Sequence, residues 1–342
     1  MEQMQDARRA VLVLSYNGKD VSADIAKSLL SFSYTDATGM LDDLEISLED
    51  RERNWQGAWT PDAGDRIKAE IRTINWAGPG EIKSLPLGSF EVDSGNVSGP
   101  PDTVTIRAVS LPNNGTAKLE KRSKSWEKTA LKTVAAEIAK RAGLTLLYET
   151  KDNPSYDRLQ QTEQSDLSFL QDTANREGLA IKVSGSKLVL FDEFTYEQKA
   201  TIATIKRGTD DVTGYQFDWS TTNAAYRSCT VSYTNAKSKK TVSVTFTPAG
   251  APKTGPVLKV NEQADSQAAA LRLARIRLRE KNKEYGKGSL QLMGDIRMAA
   301  GLTVQVKGWG KYDGKYIIVS ARHVVGSSGY TTDLEIRKVL GW

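Results

Sequence analysis

The heptapeptide GSFEVDS at Gly88–Ser94 has a counterpart in GKYIIVS at Gly314–Ser320. Both place glycine first, an aromatic residue third, an apolar residue fifth and serine seventh. Matching residues flank the two heptapeptides, in the pairs Gly64–Ile67 with Gly301–Val304 and Ile106-Arg107 with Ile336-Arg337. The shared order predicts an internal duplication, with a chance match between common Gly-aromatic hairpins as the alternative. A duplicated chain would carry two similar β units, and a trimer of such chains would present six in a ring.

Strand patterns surround both heptapeptides. In Leu41–Glu49, the apolar residues Leu44, Ile46 and Leu48 alternate with polar ones, as in a strand with one buried face. The dipeptide Asn17-Gly18 predicts a hairpin turn. Further strands are predicted at Arg66–Ile74, Thr103–Val109, Tyr215–Trp219, Cys229–Tyr233, Thr241–Phe246, Leu302–Val306 and Thr332–Val339. Short strands at this spacing are typical of small barrels or sandwiches.

The residues between these regions have a helical period. Apolar residues from Leu131 to Ala142 recur at helical spacing, and a second helix is predicted from the N-cap Ser165 to Gly178. A hairpin follows, so this part of the chain is predicted to be a small α+β domain. We therefore expect a mainly β fold with an α+β insert. It would have two tandem related β-barrels, at 1–112 and 201–342, around the domain at 113–200, with a helix at about 266–285 inserted in the second barrel.

The composition excludes several classes of protein. The chain has 342 residues, 47 Lys and Arg against 42 Asp and Glu, a net charge of +5, one cysteine and one histidine. These are too few Cys and His for a disulfide framework or a structural zinc site, and we predict no metal and no cofactor. No window approaches the roughly 18 apolar residues of a membrane span, so membrane insertion by this chain is not expected. The mild charge, without a basic block, does not favour specific binding of nucleic acid.

Asp43, Glu45 and Glu49 fall on one face of the strand at Leu41–Glu49. Paired carboxylates are the groups that glycoside hydrolases use, so cleavage of cell-wall glycans is one interpretation. A solvated or partner-facing strand accounts for the same residues without chemistry, and we prefer it. No nucleophile elbow accompanies His323. We predict a structural histidine with no hydroxyl or thiol within hydrogen-bonding reach.

The predicted helix at 266–285 carries six basic residues, among them Arg272 and Arg275. A nucleic-acid-binding module is one interpretation of a basic helix on a β-rich chain, and a solvated helix face is the simpler one. Gly308–Lys315 has the glycines and lysine of a phosphate loop. However, no Ser or Thr follows the lysine and a strand follows the loop, so a hairpin turn is predicted. Cys229 lies in an apolar strand pattern and is predicted to be in the core.

Three blocks of sequence resemble the phage late control protein D family. The first is Thr35-Asp36 with Leu41–Arg51, Trp55, Trp59 and Gly64-Asp65; the second is Gln161–Leu170 with Ala174 and Gly178-Leu179; the third is Gly314–His323 with Gly329–Thr332. The blocks occur in the expected order and together span most of the chain. Three in succession are more specific than any one of them.

The resemblance implies a structural, non-enzymatic baseplate hub of a contractile phage tail or of a tail-like particle such as an R-type bacteriocin. Hubs of this family are trimers, in which two barrels per chain form a pseudo-six-fold ring between the six-fold tail tube and the three-fold spike. The implied partners are two further copies of the chain, the tail tube protein, a separate spike protein and other baseplate proteins. We expect synthesis in the bacterial cytoplasm, with which the single thiol agrees, and assembly into the particle. Because the sequence ends at Trp342 straight after its last predicted strand, we expect the spike and any wall-cutting activity in separate proteins.

The same patterns suggest where copies of the chain meet. Trp55 and Trp59 stand beside Pro61 on a loop after the acidic strand, and exposed aromatic residues cluster at interfaces. A loop folded back onto its own barrel is the alternative. The acidic face is expected to meet basic groups of a neighbouring chain, such as those of the basic helix. The candidate assembly residues are Asp43, Glu45, Glu49, Trp55, Trp59, Arg272 and Arg275.

Overall fold

The computed structural model describes residues 7–39, 41–110, 120–209, 211–220, 225–234, 241–264, 266–327 and 329–342. The first part of the chain contains β1 (Arg9–Tyr16), β2 (Lys19–Asp20), α1 (Ser22–Ser28), β3 (Leu29–Ala37), β4 (Asp43–Glu49), β5 (Arg66–Ile74), β6 (Ile82–Ser98) and β7 (Thr103–Val109). The middle contains β8 (Lys121–Ala130), α2 (Leu131–Arg141), β9 (Thr145–Glu149), β10 (Ser155–Ser165), α3 (Asp166–Arg176), β11 (Ala180–Ser184), β12 (Lys187–Phe191) and α4 (Glu193–Gln198). The last part contains β13 (Ala203–Lys206), β14 (Val212–Trp219), β15 (Ser228–Thr234), β16 (Thr241–Phe246), β17 (Val257–Val260), α5 (Gln267–Asn282), β18 (Gly286–Met293), β19 (Thr303–Lys307), β20 (Gly314–Gly326) and β21 (Gly329–Lys338).

The chain is mainly β, and thirteen of its strands form one sheet. Eleven follow each other in the order β14-β18-β21-β20-β3-β4-β7-β6-β5-β1-β2, while β19 pairs with β20 and β13 with β19. An antiparallel ladder between β3 and β20 joins the first and last parts, from Ala37 opposite Ser320 to Ser31 opposite Gly326. The two predicted β units are therefore continuous with each other, because β3 occupies the edge of β20 that β19 leaves free.

The first and last parts repeat the same arrangement of five strands. The series β3-β4-β7-β6-β5 corresponds to β14-β18-β21-β20-β19, with the strands in the same chain order. Every neighbouring pair in both series is antiparallel. Strand order alone thus supports the duplication that the two heptapeptides predict.

Irregularities of the ladders occur at equivalent places in the two series. Asp93 of β6 and Val319 of β20 are each the extra residue of a bulge against the next strand. Leu30 of β3 and Thr213 of β14 are the extra residues of a second pair of bulges. A bulge adds one residue to one strand and bends it, so its position is a detailed property of a sheet. Two shared bulges make the repeat specific at the level of single residues.

The approach to the long hairpin is also shared. Gly64-Asp65 exchanges two backbone hydrogen bonds with Val92, at 3.0 and 2.8 Å, and Gly301-Leu302 exchanges the same two with Ile318, both at 2.8 Å. The leading glycines have φ of 94° and 88°, a left-handed conformation that glycine adopts without strain. The glycines of the sequence match are therefore required by the turn before the hairpin.

The ladders correct the sequence match in one detail. Val92 lies opposite Ala108, and its equivalent Ile318 lies opposite Ile336. The sequence match paired Ile336 with Ile106, but the ladders show that Ile336 corresponds to Ala108. A shift of two residues keeps every side chain on the same face of a strand, so alternation alone does not reveal it.

Two features differ from a pair of closed barrels. The strands that follow the two five-strand series are not equivalent. β1 runs antiparallel to β5, whereas β13 runs parallel to β19. Among the described strands, no ladder closes either part into a complete cylinder. The first core is instead shared between the parts, since Val325 and Tyr330 of the β20–β21 hairpin pack in it with Phe32, Ile71 and Phe90.

The middle of the chain forms a unit with its own core. β8 pairs with β10, and β11, β12 and β9 form a second small sheet. α2 and α3 pack on that core through residues such as Leu131, Ile138 and Leu170. The hydroxyl of Ser165 accepts a hydrogen bond from the N–H of Ser168 at 3.4 Å, which confirms the predicted N-cap.

An insertion between β14 and β18 forms a further unit. β15, β16 and β17 make a separate three-stranded sheet, and α5 packs against it through Ala270, Ala274 and Leu278. Cys229 lies in this core, as predicted, and burial raises the pKa of its thiol to about 11. The insertion is thus larger than the helix that the sequence suggested. Short alternating strands have the same pattern whichever sheet they join, so the pattern does not assign them to one.

Candidate assembly interface

The acidic face of β4 lies near the middle of the sheet, between β3 and β7. Leu44, Ile46 and Leu48 point into the first core, which leaves the carboxylates on the opposite face. Arg107 donates a hydrogen bond to Glu45 at 2.8 Å across the β4–β7 ladder, and Arg51 donates one to Glu49 at 2.6 Å. The charges of this face are therefore partly balanced within the chain.

The carboxylates remain accessible to a second molecule. The side chains of Glu45 and Glu49 retain 33% and 31% of their exposure. Burial raises the pKa of Asp43, although a hydrogen bond with the Thr35 side chain and the positive charge of Arg322 both act to lower it. The face is thus a half-exposed array of three acidic groups and their arginine partners.

The tryptophan loop after β4 folds partly onto the first core. The rings of Trp55 and Trp59 meet edge to face, with centroids 5.5 Å apart. Trp55 packs against the core, whereas Trp59 is 50% exposed. With Pro61 they border an apolar pocket of about 350 Å³. Trp55 thus fits a loop folded back onto its own core, whereas a contact of the exposed Trp59 with a neighbouring chain stays a prediction.

The basic side chains of α5 meet groups of this same chain. Arg272 pairs with Glu177, at the end of α3, and lies 3.6 Å from Asp152. The guanidinium of Arg275 lies 5.4 Å from the ring of Phe194 on α4. Arg272 and Arg275 of the helix that suggested a nucleic-acid site are thus directed at the middle unit.

A buried ion network below this face links three parts of the fold. Glu197 of α4 is 1% exposed and accepts hydrogen bonds from Arg279 of α5 at 3.0 Å and Arg337 of β21 at 2.8 Å. Glu193, one helical turn earlier, accepts one from Arg337 at 3.0 Å and pairs with Lys283. Burial opposes ionisation of Glu193, but these cations hold its pKa below the usual value. This network was not predicted from the sequence, in which its signal is the i, i+4 spacing of Glu193 and Glu197 on one helix face.

A second buried cluster lies between β3 and the middle unit. Tyr34 donates a hydrogen bond to Asp42 at 2.9 Å, and the backbone N–H of Ala300 donates one to Asp36 at 3.0 Å. Lys182 of β11 lies 2.5 Å from the other oxygen of Asp36. Burial, reinforced by the charge of Asp36, raises the pKa of Asp42. The two aspartates belong to the first resemblance block, and their contacts here hold parts of the fold together.

His323 is a buried structural residue. Its Nε2 lies 3.0 Å from the carbonyl oxygen of Met298, so this nitrogen carries the proton and Nδ1 accepts from the hydroxyl of Tyr330 at 2.8 Å. Burial lowers the pKa of the ring. The prediction that no hydroxyl lies within reach is wrong, since Thr332 is also 3.4 Å away. A buried imidazole needs partners for both nitrogens. The neighbouring strand β21 supplies the hydroxyls at Nδ1, and the segment between β18 and β19 supplies the carbonyl of Met298 at Nε2.

The remaining motifs have structural explanations. Gly308–Lys315 connects antiparallel strands β19 and β20, so the predicted hairpin turn is confirmed. The described part of the chain contains no cluster of three His, Cys, Asp or Glu side chains suited to a metal ion. Within the same residues, no helix is both long and apolar enough to cross a membrane.

Comparison with known proteins finds relatives of this chain in both sequence and fold. Residues 99–329 match the family model described as phage tail baseplate hub. Probable baseplate hub proteins of Escherichia phages 186 and P2 are both 30% identical over 52% of this chain, and the matches span 43% and 44% of those longer proteins. The 43 kDa tail protein of prophage MuSo2 from Shewanella oneidensis has the same fold, with a TM-score of 0.73 at 14% identity over 96% of this chain and 98% of its own. The chain belongs to the phage tail baseplate hub family.

Proposed function

We propose that this chain is a structural subunit of a baseplate hub, and that three copies form a ring joining a six-fold tail tube to a three-fold central spike. The observation that carries the proposal is the internal repeat, with its shared strand order and shared bulges. A chain with two equivalent β units offers two similar surfaces. Three such chains offer six, which is the number that a six-fold tube requires.

The mechanism is symmetry matching. Closure of six equivalent units around one axis requires a rotation of about 60° between neighbours. Within the chain, the β3–β20 ladder fixes the relation between the two units through seven residue pairs. A rigid internal junction suits a ring that transmits force along a tail, because the two units then move together.

The partners follow from this role. A hub contacts the tail tube protein on one side, a separate spike protein on the other and further baseplate proteins around its rim. The similarity to hub proteins of phages 186 and P2 supports a place in the particle, after synthesis in the bacterial cytoplasm. Whether the particle is a phage or a bacteriocin is a property of its other components.

We further propose that the acidic face of Asp43, Glu45 and Glu49 and the indole of Trp59 contact neighbouring subunits. Their partial exposure supports this role. Trp55 would position the loop, and Arg272 and Arg275 would act through their contacts with the middle unit.

The two rival functions gain no support from these contacts. Glu45 and Glu49 are bound to arginines on an open sheet face, which does not suit paired carboxylates that must hold a sugar ring. Arg272 is engaged by carboxylates of its own chain, so it is not directed at phosphates. We therefore propose no catalytic residue and no specific nucleic-acid ligand.

The native mass of the purified protein tests the proposal. Light scattering at several concentrations should give three times the 37.5 kDa of one chain. A mass of one chain at every concentration would contradict a hub ring. A lytic test with purified peptidoglycan serves as a parallel assay, in which release of glycan fragments would revive the hydrolase interpretation.

A further inference from the structure

The equivalent long strands β6 and β20 differ in how much of one edge is paired with a neighbouring strand. In β20, Gly314–Ile317 pairs with β19, and Ser320–Gly326 pairs with β3 on the same side. In β6, residues 82–91 pair with β5, but Ser94–Ser98 has no described partner on that side. The edge at Ser94–Ser98 is therefore the equivalent of the edge that β3 covers in β20.

The strand equivalent to β3 is uncovered as well. β3 lies between β4 and β20, whereas β14 pairs with β18 and has no described partner on its other side. One contact of the repeat, β3 with β20, is thus made within the chain. The equivalent contact, β14 with the second half of β6, is not made within the chain.

Side chains on the paired edges are buried, whereas their equivalents on the unpaired edges are exposed to solvent. Phe32 and Tyr34 of β3 are 0% and 6% exposed, whereas Tyr215, at the position equivalent to Phe32, is 48% exposed. On the other edge, His323 of β20 is 1% exposed and its equivalent Val97 is 49% exposed. Large apolar side chains are therefore left in solvent at the two places where the repeat predicts a strand.

We propose that Ser94–Ser98 of one copy of this chain pairs antiparallel with β14 of a second copy, in the register that β20 and β3 use within the chain. The inference rests on the proposed ring and specifies the contact that closes it. Transferring the β3–β20 register gives the pairs Gly95 with Trp219, Asn96 with Asp218, Val97 with Phe217 and Ser98 with Gln216.

The side chains at these positions suit such a pair. Val97 shares the core-facing side with its partner Val104, so it would meet Phe217, which packs at the edge of the last core. Gly95 would lie opposite Trp219 and leave room for the indole. Free sheet edges of soluble proteins usually carry charges or proline that prevent pairing. Ser94–Ser98 (SGNVS) carries neither, and the facing part of β14 carries one charge, Asp218.

The two edges belong to different surfaces of the chain, so the contact is head to tail. A head-to-tail contact closes into a ring when the rotation between copies divides a full turn. Since the contact copies one that already relates the two units of the chain, internal and intermolecular junctions would alternate around the ring. Three chains would then form a continuous sheet with six nearly equivalent junctions.

A disulfide tests the register directly. We would replace Asn96 and Asp218 by cysteine in one chain, leave the buried Cys229 in place, and oxidise the assembled protein mildly. Directly opposite residues fall within the Cα separation of about 4.4–6.8 Å that a disulfide needs. The control pairs Asn96→Cys with Gln216→Cys, which is two residues further along the same face and at a diagonal distance beyond that range. Circular dichroism of each variant checks that its fold is intact.

We expect covalent dimers and trimers from the Asn96→Cys/Asp218→Cys variant on non-reducing gels, at least about tenfold more than from the control. A native trimer that gives no specific cross-link would overturn this inference and leave the proposed hub ring standing. Efficient cross-linking into ladders longer than three would support the strand pair and contradict the closed ring. An unmodified chain that stays monomeric, with no cross-link in either variant, would overturn both.

Discussion

Replacing Glu197 by Gln removes a charge without changing the shape of the side chain. In the native fold its carboxylate contacts Arg279 and Arg337, and both arginine residues are less than one tenth exposed. After the change Arg337 still has Glu193 at 3.0 Å. Among the described ion pairs, no second carboxylate reaches Arg279. One buried cation is therefore left without a directly bound carboxylate, and only the more distant charge of Glu193 still acts on it.

The expected cost follows from this difference. Breaking a buried ion pair by removing one partner costs about 3–5 kcal/mol. Arg279 keeps contacts with the rings of Phe194 and Trp342, at 5.2 and 5.6 Å, which favour the lower end of that range. We expect a loss of about 3 kcal/mol in the free energy of unfolding. The matched control is Glu45→Gln, which breaks a half-exposed pair and should cost less than about 1 kcal/mol.

The assay is unfolding in urea, followed by circular dichroism and tryptophan fluorescence. Because the chain has several cores, the two signals also show whether the units unfold together. Glu197→Gln combined with Arg279→Met should recover most of the loss, since an apolar replacement of a buried pair is close to neutral. If Glu197→Gln shifts the transition no more than Glu45→Gln does, the reasoning about this network is refuted.

Three further predictions concern pH and assembly. Because burial raises the pKa of Asp42 to about 7, the folded chain binds more protons than the unfolded chain above pH 3.8, and stability from this group falls as pH rises toward 7. Asp42→Asn should flatten that dependence, and unfolding midpoints at pH 5 and pH 8 that change as much as in the unmodified chain would count against it. Reversing Glu45 and Glu49 to Lys should weaken the trimer at low salt and less so at high salt, measured by native mass, and a stable trimer at low salt would show that the acidic face is only solvated. Trp59→Ala should weaken assembly with little change in stability, whereas Trp55→Ala should lower the melting temperature; equal effects on melting would contradict the division between the two indoles.

Local features of this fold were predictable from the residues that cause them. Asn17 and Gly18 have φ of 48° and 85°, the left-handed pair that a two-residue hairpin turn needs. β5 and β7 begin and end where alternation predicted, since each has one face in the first core. The N-caps of α3 and α5 are Ser165 and Ser266, each accepting a backbone hydrogen bond.

Long-range features were not predictable in the same way. β3 and β18 were missed as strands, although Phe32 and Tyr34 alternate with serines along β3. Without β3 the junction with β20 had no candidate partner, and the two β units were expected to be separate. Which strands pair is decided by contacts between residues far apart in sequence, and a periodic pattern carries no record of them.

Candidate assembly residues were likewise predictable only where a single residue carries the signal. Exposed acids and indoles were visible in the sequence, because charge and aromatic character are properties of single residues. The edge at Ser94–Ser98 was not, since its small polar residues also suit a loop. It becomes a candidate only when its equivalent in β20 is seen to be covered by β3.

Electron cryomicroscopy of the purified oligomer tests the central claim that the two β units of the chain act as equivalent members of one ring. We expect three chains in which the rotation from the first unit to the second, and from the second to the first of the next chain, are both close to 60° about the three-fold axis. A three-fold assembly in which the last part of each chain lies outside the ring would contradict the claim.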